Sequence, residues 1–330
     1  MGLLIGMDEA GYGPNLGPLV ISATAWEVPG DPRRIDLWKC FAGIVEQSPP
    51  VENSHIQIAD SKEVYSPARG LENLETGVLS ALAVWRDGKC GDDAPDTNGA
   101  DSRTFGTFRE LISQIAIRPC NELDGEPWFA DADHPLPSVP SGGLADGWRD
   151  RCRSHKIRLR AVCSDVVLTQ RFNSHTRVND NKAQALSEMS MNVLRHIWQE
   201  AGGDDHKAVL IFADKHGGRN RYHDFLPIVF GDRFIRCHNE SLEQSRYRVG
   251  NAEIRFETKS ERHFPVALAS MVSKYMRELA MILFNRFWAD RQPGLKRTAG
   301  YPTDSGRFRD DIAALQKQLG IADEILWRNR

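Results

Sequence analysis

The 330-residue sequence predicts an α/β fold from three observations. Apolar segments at about residues 3–8 and 18–28 flank a turn rich in glycine and proline, a pattern typical of an antiparallel strand pair. The run 208–213 is continuously apolar and of strand length, which predicts a central strand buried on both faces. Apolar residues recur at helical spacing near 179–201 and 264–288, which predicts two long helices.

The same patterns place the remaining elements and suggest how the chain is organised. Further strands are predicted at 157–168, 234–238 and 252–257, and further helices near 67–85, 105–117 and 307–319. Proline-rich and acidic loops between 86 and 145 indicate an insertion on the core. The predicted units are a core of 1–85 and 146–290, an insertion of 86–145 and an accessory segment of 291–330.

The composition describes a globular protein without a strongly charged surface overall. Hydrophobic residues make up 41% and charged residues 26%, and the net charge of −3 argues against a chain that attracts nucleic acid over its whole surface. This leaves room for a local basic face. The six cysteines form no CxxC pair, which favours thiols in a reducing compartment. With no signal peptide and no apolar run of membrane-spanning length expected, we predict a cytoplasmic monomer without membrane contact.

Acidic residues occur at positions where packing does not explain them. Asp8 and Glu9 end the first predicted strand, and Asp214 directly follows the apolar run 208–213. In open α/β sheets, ligands bind at the carboxyl ends of the strands, so these positions predict a ligand-binding site. Neighbours along a strand point to opposite faces, so we expect the backbone to bend near Gly11 and Gly13. A solvated hairpin with two incidental acids is the alternative.

A group of carboxylates at one site predicts a bound cation. Glu278, on the long predicted helix, is a fourth candidate beside Asp8, Glu9 and Asp214. Converging carboxylates repel one another unless a cation lies between them. Oxygen ligands without His or Cys favour hard ions, so Mg²⁺ or Mn²⁺ is expected, and such a site suits phosphoryl chemistry.

Five segments, in order, resemble the motifs of the ribonuclease HII family. The segment 8–18 (DEAGYGPNLGP) is similar to the opening family motif Asp-Glu-Ala-Gly-Arg-Gly-Pro, and Asp60-Ser61-Lys62 is similar to its Asp-Ser-Lys. Asp214 stands where the third acid of the family closes a buried strand. The segment 269–278 resembles the helix that carries the fourth acid, and 300–303 resembles Gly-Tyr-Gly-Thr.

This resemblance implies a ribonuclease-H-like fold and a hydrolytic activity. The implied fold is a five-stranded mixed sheet with helices on both faces, here with a large insertion and a C-terminal helical extension. The implied activity is metal-dependent cleavage of RNA in RNA/DNA hybrids, or of ribonucleotides in duplex DNA, leaving a 3'-hydroxyl and a 5'-phosphate. Two ions of Mg²⁺ or Mn²⁺ would be held by Asp8, Glu9, Asp214 and Glu278.

The resemblance also implies the residues that bind the nucleic acid. The backbone at Gly11 and Gly13 would approach the ribose 2'-hydroxyl, Lys62 would contact a phosphate, and Tyr301 would stack on a sugar. The full implied set is Gly11, Tyr12, Gly13, Ser61, Lys62 and Tyr301. For Lys62 and Tyr301 an exposed surface role is the alternative, and an ion pair with Lys274 is the alternative for Glu278.

Two departures from the family pattern keep other functions open. Tyr12 replaces the usual Arg and removes a charged donor, and Glu278 replaces Asp and extends its carboxylate. One alternative is a related protein that binds nucleic acid and has lost turnover. The other is a nuclease of the same fold that acts on a different structured nucleic acid. His216 is a further candidate, as a proton shuttle beside Asp214.

Overall fold

The computed structural model describes residues 1–51, 53–89, 105–138, 143–179 and 181–329. The strands are β1 (Gly2–Ala10), β2 (Leu19–Val28), β3 (Val45–Glu46), β4 (Ile56–Gln57), β5 (Arg158–Val167), β6 (Val209–Asp214), β7 (Ile235–Glu240), β8 (Gln244–Val249) and β9 (Ala252–Glu257). The helices are α1 (Leu37–Phe41), α2 (Ser61–Val64), α3 (Glu72–Lys89), α4 (Phe108–Ile115), α5 (Leu144–His155), α6 (Thr169–Asn179), α7 (Lys182–Glu200), α8 (Pro227–Phe230), α9 (Phe264–Arg291), α10 (Pro302–Leu319) and α11 (Asp323–Leu326).

Seven strands of the described residues form one mixed sheet in the order β5-β2-β1-β6-β9-β8-β7. β2 is antiparallel to β1 and β5, whereas β1, β6 and β9 run parallel. Helices cover both faces, so the predicted α/β fold with a mixed sheet flanked by helices is confirmed. The sheet has seven strands and not five, because the hairpin of β7 and β8 extends its edge beyond β9.

The central strands divide the protein into two hydrophobic cores. Successive residues of a strand point to opposite faces. Leu4 and Leu210 therefore lie in the core that includes α3 and α9, while Ile5 and Ile211 lie in the core that includes α7. This confirms the prediction that 208–213 is a strand buried on both faces.

The long helix α9 packs directly on β1 because a glycine leaves room for it. A Cβ atom at Gly6 would overlap the backbone of Pro265 and Val266 in the first turn of α9. Thr24 on β2 donates its hydroxyl to the Pro265 carbonyl oxygen at 2.8 Å. This close contact fixes the height of α9 over the carboxyl end of β1.

The described part of the predicted insertion contributes to the core beneath α9. α4 begins at a Thr107 cap and buries Phe108, Leu111 and other apolar residues. Trp128 contacts Phe284 of α9 edge to face, with ring centroids 5.0 Å apart. The acidic loop that the sequence indicates at 91–96 lies outside the described residues, and the division into core, insertion and accessory segment stays a prediction.

The helix predicted at 307–319 extends further toward its N-terminus than its apolar spacing predicts. α10 begins at Pro302 and not near 307, since a proline suits the first helical position, where the backbone N–H has no partner to lose. In contrast, α3 begins later than predicted, at Glu72, because residues 66–70 form a turn. Among the described residues, no helix has the length and apolar character needed to cross a membrane.

Candidate active site

The parallel pairing of β1 with β6 brings two of the predicted acids together. Met7 pairs with Ala213 in this register, so the next positions, Asp8 and Asp214, lie side by side at the carboxyl edge of the sheet. Asp214 is the last residue of β6 and Asp8 lies two residues before the end of β1, and the apolar residues of both strands are fixed in the two cores. The site position therefore follows from the strand pattern itself.

Asp8 is the most deeply buried of these carboxylates. The side chain is only 7% exposed, and Ser273 of α9 donates its hydroxyl to the Asp8 backbone oxygen at 3.0 Å. Burial is the main cause that raises the pKa of Asp8 well above its ordinary value, and the charge of Glu9 raises it further. An ionised Asp8 is therefore unfavourable here unless a positive charge compensates it.

The charge of Glu9 interacts with those of Asp8 and Asp214, although β1 stays regular at this residue. β1 pairs regularly with β2 through Ala10, so Asp8 and Glu9 point to opposite faces, and the chain turns only after the strand, where Gly11 has a φ of +91°. Burial, followed by the charge of Asp214, raises the pKa of Glu9 to about 7. Asp8 and Glu9 thus lie on the two faces of β1, both close to the carboxyl end of β6.

Asp214 has two weak donors and no cationic partner in direct contact among the described residues. The backbone N–H and the hydroxyl of Ser260 approach its Oδ1 at 3.4 and 3.3 Å. Burial raises the pKa of Asp214 more than the Ser260 hydrogen bonds lower it. The adjacent acid on β9 behaves differently: burial alone would raise the pKa of Glu257, but hydrogen bonds, with His263 the largest, lower it to about 2.

Glu261 joins this group and the sequence patterns did not identify it. It follows Ser260 in the short 3₁₀ turn between β9 and α9, so the contacts of Ser260 with Asp214 place it beside the site. Burial and the charge of Asp214 raise the pKa of Glu261. The available signal was its position after a parallel strand, at the edge where Asp8 and Asp214 end.

Lys62 is a cation whose charge lowers the pKa values of Glu9, Asp214 and Glu261. Asp60 caps α2 by accepting from the Lys62 backbone N–H at 3.0 Å, and Ser270 of α9 donates to the Ser61 hydroxyl at 3.1 Å. Partial burial would lower the pKa of Lys62, but Asp60, Asp8 and other nearby acids raise it overall. The structure thus brings the Asp60–Lys62 segment to the carboxylates.

Glu278 is engaged by other partners. Its carboxylate accepts from the Tyr65 hydroxyl at 2.8 Å and pairs with Lys274 at 2.5 Å and with Arg277 at 3.5 Å. Among the described residues, Glu278 is not one of the main causes of the pKa shifts of Asp8, Glu9 and Asp214. The ion pair with Lys274 that the helical spacing allowed is present.

The glycine turn after β1 lies against α9 and Tyr301. Gly11 has a φ of +91°, and a Cβ there would come within 2.5 Å of Arg277 Nε, so the position requires glycine. A Cβ at Gly13 would lie 4.0 Å from Tyr301 Cε1. Tyr301 is 43% exposed, so its ring is accessible next to the turn.

Tyr12 and His216 both contact neighbouring side chains, and the place of Tyr12 in the substrate-binding turn stays a prediction. The ring of Tyr12 contacts Lys182, whose Nζ lies 4.6 Å from the ring centroid. His216 is buried and its Nδ1 lies 3.0 Å from the Ser187 hydroxyl. Burial lowers the pKa of His216 to about 3, so it stays neutral near pH 7 and a proton-shuttling role is not supported.

The donor set suits a hard cation, although its side chains are not arranged as a ligand cage. Among the described residues, no three His, Cys, Asp or Glu side chains are grouped as the ligands of a metal ion. The site nevertheless contains Asp8, Glu9, Asp214 and Glu261, whose pKa values are raised by burial first and, for Asp8, Glu9 and Glu261, also by the charges of neighbouring acids. A divalent cation bound by carboxylate oxygens would remove this repulsion.

Comparison with known proteins gives structural matches of low similarity. No protein-family model and no curated protein matches the chain. A chain of the PCNA:RNase HII complex from Archaeoglobus fulgidus is 13% identical, with 99% of this chain and 94% of that chain covered and a TM-score of 0.41.

Two further solved structures are similar at the same level. Ribonuclease H2 from Pyrococcus horikoshii OT3 is 14% identical over 98% of this chain and 92% of that chain, with a TM-score of 0.39. Bst-RNase HIII in complex with Mn²⁺ is 17% identical over 99% of this chain and 66% of that chain, with a TM-score of 0.41. TM-scores this low carry no argument about activity.

Proposed function

We propose that this protein is a metal-dependent endonuclease that hydrolyses the RNA strand of RNA/DNA hybrids, or ribonucleotides within duplex DNA. The observation that carries the proposal is the group of buried and half-buried carboxylates at the carboxyl ends of β1 and β6, with raised pKa values and little compensating charge. Hydrolysis of phosphodiesters commonly depends on cations held by such carboxylates. The ordered motifs that resemble the ribonuclease HII family support the substrate class.

Asp8, Glu9 and Asp214 would hold Mg²⁺ or Mn²⁺, with Glu278 proposed as a fourth ligand and two ions expected. When bound, the ions would lower the pKa of a water molecule and neutralise charge on the leaving oxygen. Hydrolysis then breaks the bond between phosphorus and the 3' oxygen. The water oxygen stays on the 5'-phosphate, and a proton goes to the 3' oxygen, which leaves a 3'-hydroxyl.

The remaining residues would bind and orient the strand. Lys62 is close enough to Asp8 for their charges to interact, so a phosphate held by Lys62 would lie next to the carboxylates. Gly11 and Gly13 expose backbone where a ribose 2'-hydroxyl could be bound, which would distinguish RNA from DNA. Tyr301, exposed beside Gly13, would pack against a sugar of the same strand.

One observation favours a second function, binding of nucleic acid without turnover. Glu278 is already neutralised by Lys274 and Arg277, so it would have to leave these partners to coordinate an ion. If it does not, the site keeps three acids from β1 and β6, and Tyr12 further alters the turn. Such a protein would bind duplexes in a salt-dependent manner and form no metal-dependent product.

A cleavage panel separates these functions. The substrates are an RNA/DNA hybrid, duplex DNA with a single ribonucleotide, duplex RNA and duplex DNA, each with Mg²⁺, with Mn²⁺ and with EDTA. We expect cleavage of the hybrid or the single-ribonucleotide duplex, only with metal, and a loss of at least about a hundredfold in Asp214→Asn. Binding without cleavage under every condition would support the second function and overturn the first.

A further inference from the structure

A small open cavity lies between the turn after β1, the start of α10 and the C-terminal tail. Its volume is about 250 Å³, and its lining residues are Asn15, Pro302, Ser305, Gly306, Arg309, Trp327 and Arg328. None of the described residues that line it is acidic. The volume is below the range of pockets that enclose a drug-sized molecule, so a single small group fits better than a whole nucleotide.

Arg328 is a buried cation with unused donors at this cavity. It is only 4% exposed, and its Nη2 donates to the Gly11 carbonyl oxygen at 2.5 Å and to the Pro14 carbonyl oxygen. Its Nε and Nη1 are buried and have no hydrogen-bond partner. Burial, followed by the charge of Arg277, lowers the pKa of Arg328 although the charge of Glu126 opposes this, so an anion in the cavity that Arg328 lines would stabilise its charged form.

The other lining groups add donors of the same kind. The indole Nε1 of Trp327 is buried without a partner, and Arg309 lies 5.2 Å from the Trp327 ring centroid. Asn15 donates its side-chain amide to the Ser305 hydroxyl at 3.1 Å, which holds the turn to the first turn of α10. α10 has 18 residues and no side-chain cap at Tyr301; its first turn carries one acid, Asp304, which pairs with Arg307 and does not line the cavity.

We propose that this cavity is a phosphate subsite that binds one phosphodiester of the nucleic-acid strand, away from the carboxylates. The identity of the ligand rests on the proposed function, because the turn that forms one wall also carries Gly11 and Gly13. A strand that crosses this turn and passes Tyr301 reaches the cavity next. The subsite thus joins the C-terminal segment to the binding face of the catalytic core.

Arg309 gives the sharpest test, because it lies at the exposed rim. Its side chain is 59% exposed and its ion pair with Asp323 is long, at 3.4 Å, so Arg309→Gln should fold normally. Arg328→Gln would also break the bonds to Gly11 and Pro14 and is therefore a poor test. Lys317→Gln is the matched control, because it removes one exposed charge from the same helix and does not line the cavity.

The first arm uses inorganic phosphate and requires no catalytic activity. Phosphate should raise the melting temperature of wild type and of Lys317→Gln above that in chloride at equal ionic strength, and not that of Arg309→Gln. An equal shift in all three proteins would mean that no specific phosphate site exists here and would overturn the proposal. This arm keeps its meaning even if no duplex is cleaved.

The second arm identifies the source of the phosphate. The affinity for a ribonucleotide-containing duplex is measured by fluorescence anisotropy across a salt series without Mg²⁺. Arg309→Gln should bind about tenfold more weakly than Lys317→Gln, and the slope of log affinity against log salt should fall by about 0.9. Loss of the phosphate effect with unchanged duplex affinity would assign the cavity to free phosphate and overturn its role in strand binding.

Discussion

At the residue scale, a group of buried and half-buried carboxylates with raised pKa values marks the site. Asp8, Glu9, Asp214 and Glu261 all have raised pKa values, and burial is the largest cause for each. Glu257 on the neighbouring strand β9 is different, because both Arg262 and His263 form ion pairs with its carboxylate. The contrast indicates that the first group is arranged for a ligand and not for stability.

Glu9 should make the metal-free protein less stable as pH rises. Its pKa is about 7 in the folded protein and 4.5 in its ordinary environment, so the folded state binds more protons between these values and loses stability as pH increases through them. Glu9→Gln removes this effect. Relative to wild type, the variant should gain roughly 2–3 kcal/mol in free energy of unfolding between about pH 4 and about pH 8.

Urea unfolding in EDTA at both pH values measures this difference. Glu63→Gln on the exposed face of α2 is the control and should track the wild type. Identical pH dependence of Glu9→Gln and wild type would contradict the raised pKa and the crowding of acids that it reports.

Glu278 should behave as a structural partner of a buried cation in the absence of metal. Arg277 is only 1% exposed, and Glu278 is the acid paired with it among the described residues. Glu278→Gln should lower the free energy of unfolding by about 3 kcal/mol, since it leaves a buried charge uncompensated.

Asp214→Asn is the matched comparison, and it should leave the metal-free stability unchanged or raise it, because it removes a charge that repels Glu9 and Glu261. Urea unfolding of both variants in EDTA measures the contrast. A Glu278→Gln variant as stable as wild type would show that its contacts with Lys274 and Arg277 do not stabilise the fold.

At the element scale, the packing of α9 on β1 sets the geometry of the site. α9 carries Ser270, Ser273 and Glu278, and it reaches β1 closely only because Gly6 has no side chain. Gly6→Ala should destabilise the protein by about 1–3 kcal/mol, since the helix must shift to accommodate the methyl group. Thermal or urea unfolding measures this.

Gly125→Ala serves as the control for Gly6→Ala, because a Cβ at Gly125 meets nothing within 4 Å. Its stability should change by less than about 1 kcal/mol. If Gly6→Ala were as stable as this control, the direct contact between α9 and β1 would not be a constraint on the site.

At the scale of the whole molecule, the sequence predicted the parts of the site that depend on strand pattern. The apolar runs that end at Asp8 and Asp214 specify strands buried on both faces, and parallel neighbours place their carboxyl ends at one edge. The motif positions of Lys62 and Tyr301 were also available from the sequence. The structure places the first beside the acids and the second beside Gly13.

The remaining features depend on contacts between distant parts of the chain. Glu261 enters the site through a turn with no periodic pattern, and Arg328 reaches Gly11 from the other end of the sequence. β8 was not predicted, although its residues alternate between polar and apolar, and its pairing with β7 and β9 extends the sheet beyond the predicted strands. Such contacts are set by tertiary packing, which local propensity does not encode.

Direct measurement of Mn²⁺ binding tests the central claim, that the acids at the ends of β1 and β6 form a divalent-cation site. Electron paramagnetic resonance of free Mn²⁺ during titration with protein gives the affinity without any substrate. The account predicts saturable binding by wild type and by Lys317→Gln, weakened at least about tenfold in Asp8→Asn and in Asp214→Asn. Undiminished Mn²⁺ binding in both aspartate variants, or none in wild type, would contradict it.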